Sequence, residues 1–145
     1  MMTSPIQASA LRIGGYMCIK NRPCKITDIK ISMTNKHGRA KCHFYATDIF
    51  TDRAHEHLET STKNNIEVPY VTNNNYELVD IDGDTVSYLD HDGNEQNDLS
   101  MPNLCDTDIE LSAVIRDKFY LAEELYITVI SAMGITAIKG FQISK

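Results

Sequence analysis

The first half of the chain alternates short apolar runs with turn-forming residues, a pattern typical of a small β-barrel. Its clearest run extends over 40–47, where apolar and polar residues alternate strictly. Since successive side chains of a strand point to opposite faces, Cys42 and Phe44 are predicted to face a core, and His43 and Tyr45 to face outward. The outward face is free to meet a partner. The predicted strands of this half are 16–20, 25–31, 40–47, 53–59 and 66–68.

The second half contains three strand-like runs, then a helical stripe, then two further runs. The first two, 76–81 and 85–89, flank an Asp-Gly pair and form a predicted hairpin. Thr107 and Glu110 match a capping box, which predicts that a helix begins there and continues to about Tyr120. Three strands, a helix and two strands is the order of the oligonucleotide-binding (OB) fold. The remaining predicted strands are 96–101, 124–131 and 135–143.

The junction between the two halves is predicted at Pro69, because proline fixes its own φ and pushes the preceding residue toward an extended conformation. We therefore predict an all-β protein with three parts. A flexible N-terminal arm covers 1–10, a first barrel domain covers 11–69, and an OB-fold domain covers 70–145.

Charge is distributed unevenly between these halves. Residues 1–69 hold ten Lys or Arg and six Asp or Glu, a net +4, whereas residues 70–145 hold four and fourteen, a net −10. Residues 12–41 hold eight Lys or Arg against Asp28 alone, a net +7. Such a cluster suits phosphates. The alternative is a solvated face that only keeps the protein in solution.

The cysteine and histidine pattern does not predict a disulfide or a metal site. The four cysteines include no Cys-x-x-Cys pair, so we expect structural thiols. His55 and His57 would share a strand face, with Cys42 and His43 on a neighbouring strand, but zinc needs three or four converging ligands. We expect no metal.

No catalytic arrangement is visible, so we predict that the chain is not an enzyme and has no catalytic residue. A nucleophile with its base, or a glycine-rich phosphate loop, is not recognisable. The acidic segments 80–84 and 90–94 look superficially like calcium loops but fail the spacing, and are interpreted as hairpin turns.

Apolar runs do not reach membrane-spanning length, and residues 1–6 lack the basic region and apolar core of a signal peptide. We therefore expect a cytoplasmic protein with no membrane partner. Whether it forms a homodimer is left open.

The segment 31–41 is a polar, cation-bearing loop between two strand-like runs, with Lys36 at its centre. A lysine at the tip of a hairpin presents one amine at a distance from the barrel. This loop carries more functional information than the rest of the chain.

The chain resembles the eukaryotic translation initiation factor 5A family over essentially its whole length. The matching segments occur in the same order and at the same spacing, and they are 21–26, 34–38 with Ala40-Lys41, 48–51, 68–69 and 127–133. The resemblance implies an SH3-like N-terminal barrel followed by a C-terminal OB-fold barrel.

For function, the resemblance implies that Lys36 receives an aminobutyl group from spermidine. Deoxyhypusine synthase, which uses NAD, would add this group, and a hydroxylase would complete hypusine; no separate cofactor is expected. The factor would bind the ribosome and its RNA near the exit site and position the acceptor end of peptidyl-tRNA. It would promote elongation at stalled sequences such as polyproline and assist termination. The implied modification loop is Thr34, Asn35, His37 and Gly38 around Lys36, and the implied RNA-binding residues are Lys25, Lys30, Lys36, Arg39 and Lys41.

Several residues depart from the family pattern. Met33 stands for lysine and Arg39 for histidine, which keeps the loop cationic. Asn35, Asn21 and Asp52 stand where the family usually has glycine. Asparagine and aspartate tolerate left-handed backbone angles, so we predict that the turn geometry is kept.

Two alternatives come from other functional classes. The main protein of fungal Woronin bodies shares the two-barrel fold but has lost the modifiable lysine and self-assembles, and the presence of Lys36 counts against it. The other alternative is an RNA-binding paralogue that is never modified.

Overall fold

A computed structural model describes residues 2–33, 40–121 and 123–143. The chain divides into two compact units, Met1–Tyr70 and Val71–Lys145. Each is built mainly of antiparallel strands.

The described residues of the first unit form six strands and a short 3-10 helix at Ala8–Ala10. Strands β2 to β5 form one antiparallel sheet in sequence order, and β1 pairs with β6 in a second, two-stranded sheet. The strands are β1 (Thr3–Ile6), β2 (Tyr16–Ile19), β3 (Arg22–Met33), β4 (Ala40–Asp48), β5 (Ala54–Thr60) and β6 (Ile66–Pro69).

The alternation predicted for β4 is confirmed. Cys42 and Phe44 are buried against the core of this unit, and His43 and Tyr45 lie on the opposite, partly exposed face. The buried residues of this core are Ala8, Leu11, Met17, Ile19, Cys24, Ile26, Cys42, Phe44, Ala46 and Ile66.

The flexible arm predicted over 1–10 is wrong for residues 3–10. Strand β1 pairs with β6 from Thr3↔Pro69 to Ile6↔Ile66, and the N–H of Ala8, which is buried, donates to the Lys63 carbonyl at 2.8 Å. The short β1 segment contains a proline, which a sheet tolerates on an edge strand such as this one. That proline also weakens the strand signal in the sequence.

Asp48 is a buried carboxylate at the end of β4, with 2% of its surface exposed. Arg22 donates to it from Nε at 2.6 Å and from Nη2 at 3.3 Å, and the N–H groups of Phe50 and Thr51 donate at 2.8 and 3.2 Å. Burial alone would raise the pKa of Asp48, but these hydrogen bonds outweigh it and hold the pKa below its ordinary value. Asp48 therefore links the start of β3 to the turn after β4.

Two of the three predicted glycine replacements have left-handed backbones. Asn21 has φ +62° and Asp52 has φ +61°. Asn21 follows Lys20, which has φ +53°, and the two residues join the paired positions Ile19 and Arg22. Positive φ at both central residues is the mark of a type I′ hairpin turn. The third replacement, Asn35, lies outside the described residues.

In the second unit, the part that the structure describes forms five strands and one helix, in the predicted order. Its sheet has the strand order β11-β10-β7-β8-β9, and the two outer strands, β9 and β11, approach each other. The elements are β7 (Thr72–Asp82), β8 (Thr85–Leu89), β9 (Glu95–Ser100), α1 (Asp106–Tyr120), β10 (Leu125–Ala132) and β11 (Ile135–Ile143).

The predicted capping box at Thr107 and Glu110 is wrong, because the N-cap of α1 is Cys105, two residues before Thr107. The side chain that reaches back is Asp108, whose Oδ2 accepts the N–H of Leu104 at 2.9 Å. Asp108 is 2% exposed and also accepts hydrogen bonds from Lys139 of β11 at 2.9 and 3.0 Å. This buried ion pair fixes the start of the helix to the sheet.

The acidic segments of this unit form turns, as interpreted from their spacing. Asp90 accepts the N–H groups of Asp92 and Asn94 at 3.0 and 2.9 Å, and Gln96 donates to its other oxygen at 3.1 Å. Its carboxylate thus holds a tight turn. Within the described part of the chain, no helix combines the length and apolar character needed to cross a membrane.

We expect Arg22→Met to lower the free energy of unfolding of the first unit by about 2–3 kcal/mol at pH 7, because it leaves the buried Asp48 carboxylate without its charged partner. The pKa of Asp48 is depressed in the folded state, so its contribution is present above its unfolded pKa and lost as pH falls through the folded value. The difference between variant and parent should therefore shrink below about pH 4.

Urea unfolding followed through the amide resonances of β4 measures this difference for the first unit alone. The exposed Arg53, changed to Met, is the matched control and should be within about 0.5 kcal/mol of the parent. A loss for Arg22→Met that is equally large at pH 3 would contradict the role given to Asp48.

We expect Asn21→Val to destabilise the first unit by about 1–2 kcal/mol, because a β-branched residue is disfavoured in the left-handed region. Asn21→Gly should change stability by less than about 0.5 kcal/mol, since relief of the left-handed backbone is offset by greater freedom of the unfolded chain. Asn65→Val, at an exposed loop position without a positive φ, is the control. Equal losses at positions 21 and 65 would argue against the turn geometry.

Candidate nucleic-acid interface

The hairpin of β3 and β4 carries the predicted site. Among the described residues its outermost pair is Met33↔Ala40, and the six residues between these positions in the sequence include Lys36. These six residues lie outside the described part of the chain, and so do the predictions made for them. They are Thr34, Asn35, Lys36, His37, Gly38 and Arg39.

The outer part of this hairpin lies beyond the core of the barrel. Ile26 is the last fully buried residue of β3, and every residue from Lys30 to Met33 is exposed. Even the apolar side chains Ile31 and Met33 are 67% and 64% exposed. The outer end of β3 therefore lies beyond the apolar core.

The structure brings the three described cationic predictions to one face of the sheet. Lys25 pairs with Thr47 and Lys30 pairs with His43, so both share the outward face on which Lys41 also lies. All three lysines are exposed. The spacing is irregular because a β-bulge between Ile26 and Asp28 shifts the register by one residue.

Two aromatic residues on this face were not predicted as site residues. The rings of His43 and Tyr45 stack with centroids 4.4 Å apart and planes 18° from parallel. The Lys30 Nζ lies 5.3 Å from the centroid of the Tyr45 ring, within the range of a cation–π contact. Strict alternation in β4 predicted that both rings face outward, but their partnership with Lys30 depends on the register across the bulge.

A groove of about 450 Å³ lies beside this stack on the outer face of the sheet. Tyr45 forms part of its wall, and the Thr27 hydroxyl donates to the Tyr45 carbonyl at 3.0 Å. Glu56, 64% exposed, places Oε2 3.8 Å from His43 Nε2. The residues lining the groove are Lys20, Thr27, Tyr45, Ala46, Thr47, Ala54, His55 and Glu56.

The thiols of the first unit, of which Cys18 is half-buried and Cys24 and Cys42 are buried, are poorly suited to reactive chemistry. Burial, with a smaller contribution from Glu67, raises the pKa of Cys18 to about 11, and burial with Asp48 raises that of Cys24 to about 11. Burial also raises the pKa of Cys42. Since the thiolate is the nucleophile and the metal ligand, these cysteines are structural. None of the four cysteines is in a disulfide.

The described histidines of this unit, His43, His55 and His57, do not converge with acidic or thiol groups on a metal centre. His57 pairs with Glu59 at 3.0 Å, while Cys42 faces the core on the opposite side of the sheet from His43. Over residues 2–33, 40–121 and 123–143, no group of three or more His, Cys, Asp or Glu side chains could hold a metal ion.

Comparisons with known proteins match both units of the chain. A family model described as "Translation initiation factor 5A-like, N-terminal" matches residues 1–63, and one described as "Eukaryotic elongation factor 5A hypusine, DNA-binding OB fold" matches residues 70–142. The chain belongs to the translation initiation factor 5A family. The predicted family resemblance and the all-β fold, an SH3-like barrel followed by an OB barrel, are confirmed.

Curated relatives and a solved structure agree with this membership. Eukaryotic translation initiation factor 5A-1 of Solanum lycopersicum is 44% identical over 141 residues, 97% of this chain and 86% of that protein. The factor 5A-1 of Saccharomyces cerevisiae is 44% identical over 140 residues, 97% and 85%. The structure of a translation initiation factor eIF-5A family protein from Naegleria fowleri superposes with a TM-score of 0.92 at 39% identity, covering 98% of this chain and 99% of that one.

Membership in the family makes this chain a translation factor of the hypusine-containing class. The curated relatives are named as translation factors rather than as enzymes. Ribosome association follows for the class as a whole.

Proposed function

We propose that this chain acts on the ribosome through a hypusine-type side chain on Lys36. Bound near the exit site in the cytoplasm, it positions the acceptor end of peptidyl-tRNA. This positioning promotes elongation at stalled sequences such as polyproline and assists termination.

The observation that carries the proposal is the β3–β4 hairpin. Its described strands pair out to Met33↔Ala40 and extend beyond the core, and Lys36 lies between these two positions in the sequence. A side chain lengthened by an aminobutyl group at such a position has reach without requiring the barrel to approach the reacting atoms. The chain therefore suits an effector of another active site better than a catalyst of its own reaction.

The mechanism is positioning. A long cationic arm can bind phosphate and ribose oxygens of a flexible RNA end without reading its sequence. Orienting two reactants removes an entropic part of the barrier, so the rate rises although the arm donates no catalytic group. Lys25, Lys30, Lys41 and, from the loop, Arg39 supply the attraction to tRNA and ribosomal RNA.

The modification requires partners of its own. Deoxyhypusine synthase would transfer the aminobutyl group of spermidine to the Lys36 amine, and deoxyhypusine hydroxylase would then act on the product. The Lys-His-Gly sequence at 36–38 supports recognition by the synthase. Met33 and Asn35 depart from the family pattern, and the synthase would have to accept a substrate loop that contains them.

We expect most of the protein isolated from its native source to carry the added aminobutyl mass, with or without one further oxygen, on the peptide that contains Lys36. Lys36→Arg, which keeps the charge but removes the modifiable amine, should lower peptide synthesis on consecutive proline codons in a reconstituted translation system. Messages without such runs should be much less affected.

Lys41→Arg is the matched control, because it makes the same exchange on the same hairpin. An unmodified Lys36 peptide in most molecules would contradict the proposal and favour the unmodified paralogue. So would equal activity of Lys36→Arg and parent on proline runs.

We expect the protein to sediment with ribosomes in a salt-sensitive way, because lysines that neutralise phosphates release counterions on binding. Replacing both Lys30 and Lys41 by alanine should weaken binding and lower the slope of log affinity against log salt by about 1–2, since each lysine that neutralises a phosphate contributes roughly one to that slope. Lys63 and Lys118, changed to alanine together, provide a control outside this face. Pelleting without ribosomes would favour a self-assembling structural protein instead.

A further inference from the structure

The outward face of β3–β5 offers more than positive charge. The Tyr45–His43 stack and the groove beside it form a surface with an aromatic wall and a polar floor. We propose that this groove binds one unpaired nucleotide of an RNA strand, with the base stacked against the aromatic pair. The inference rests on the proposed function only in taking RNA as the partner of this face.

The aromatic pair is organised for stacking before any ligand arrives. Its rings lie 18° from parallel, and Lys30 Nζ is 5.3 Å from the Tyr45 centroid. The Tyr45 hydroxyl lies 3.4 Å from His43 Nδ1, which further limits ring rotation. Since fewer side-chain rotations remain to be frozen on binding, a stacked base gains affinity at a lower entropic cost. Every base has a π-face, so such a platform tolerates different sequences.

One lysine lines the groove, and two others lie on the same face of the sheet. Lys20 lines it directly from the tip of the type I′ turn, where its backbone has φ +53°. Lys30 and Lys25 project from the neighbouring strand onto the same face. These ammonium groups can attract the phosphates that flank a base stacked on Tyr45.

The floor of the groove can bond to ribose. Thr27 and Thr47 both line it. The Thr27 hydroxyl donates to the Tyr45 carbonyl, and its oxygen can still accept a hydrogen bond from a 2′-hydroxyl. The 2′-hydroxyl is the group by which a protein distinguishes RNA from DNA at a given site.

Two carboxylates on this face limit how a nucleotide can lie. Glu56 lines the groove, and Asp28 is paired with Tyr45 across the strands, with one oxygen accepting the Ile29 N–H at 2.9 Å. Both repel phosphate, so the backbone of the strand must follow the lysines. The Glu56 carboxylate can accept a hydrogen bond from an exocyclic amino group, which favours adenine over uracil as the stacked base.

The test uses fluorescence anisotropy of the full chain with a labelled adenosine hexanucleotide at about 50 mM salt, where phosphate contacts are strong. A second strand with the same phosphates and riboses but no bases isolates the stacking contribution. The variants are Tyr45→Val, which suits a strand but cannot stack, and Tyr45→Phe, which keeps the ring. Tyr120→Val removes an exposed tyrosine elsewhere and is the control.

We expect Tyr45→Val to weaken binding of the adenosine strand by about 5- to 140-fold, the value of one stacked base. Tyr45→Phe should remain within about threefold of the parent and Tyr120→Val within about twofold, because neither loses the stack. The abasic strand should bind the parent and Tyr45→Val equally. Ring-proton resonances of Tyr45 and His43 should shift with the adenosine strand alone, a readout that does not depend on any variant folding.

Three results would overturn the proposal. The first is abasic and adenosine strands that bind the parent equally, the second is an unchanged affinity for Tyr45→Val, and the third is no binding of either strand. These results leave the Lys36 proposal standing, since that depends on the mass of its peptide and on proline-run synthesis. If Lys36 proves to be unmodified while RNA still binds at Tyr45 in a base-dependent way, the protein is an unmodified RNA-binding protein.

Discussion

The functional hairpin depends on the hydrogen bonds that the buried carboxylate of Asp48 accepts. This carboxylate accepts hydrogen bonds from Arg22, at the start of β3, and from the backbone just after β4 ends. These contacts hold the base of the hairpin, where Cys24 pairs with Asp48 itself. Removing one partner of a buried charge is strongly destabilising, because the charge then stays out of water without full compensation. The register that begins here determines which residues reach the outer end.

The pairing register of β3 and β4 brings cationic residues that are scattered along the sequence onto one face of the sheet. Between Asp48 and the loop, the bulge at residue 27 shifts β3 by one position relative to β4. Without the shift, Lys30 in the outer part of β3 would point to the core side, since a one-residue slip moves every side chain to the opposite face. With it, Lys25 before the bulge and Lys30 after it share one face despite their odd separation. The cations and the aromatic stack thus meet because of a single irregularity.

Much of the fold could be predicted from local patterns, and the reasons for the rest are physical. Strict alternation identified the faces of β4, and the order of strands and helix identified the OB barrel. The prediction of a flexible arm was wrong because β1 is stabilised by its long-range pairing with β6. The sequence of a four-residue segment does not indicate such a pairing. The helix start was wrong because Asp108, buried against Lys139, outweighed the more regular Thr-x-x-Glu pattern. Tyr45 was missed as a site residue because its partner lies across a bulge that no spacing rule reveals.

The negative charge of the second unit makes it a poorer partner for RNA than the first unit. An OB barrel can bind oligonucleotides, but residues 70–145 carry a net −10, which repels phosphate. Two of the four cations in that range are held by acidic partners, Arg116 by Asp84 at 3.1 Å and Lys139 by Asp108 at 2.9 Å. An ammonium or guanidinium already neutralised in this way adds little attraction at a distance. In this chain the OB fold therefore lacks the electrostatic footprint of an oligonucleotide site, and the exposed lysines of β3 and β4 supply it instead.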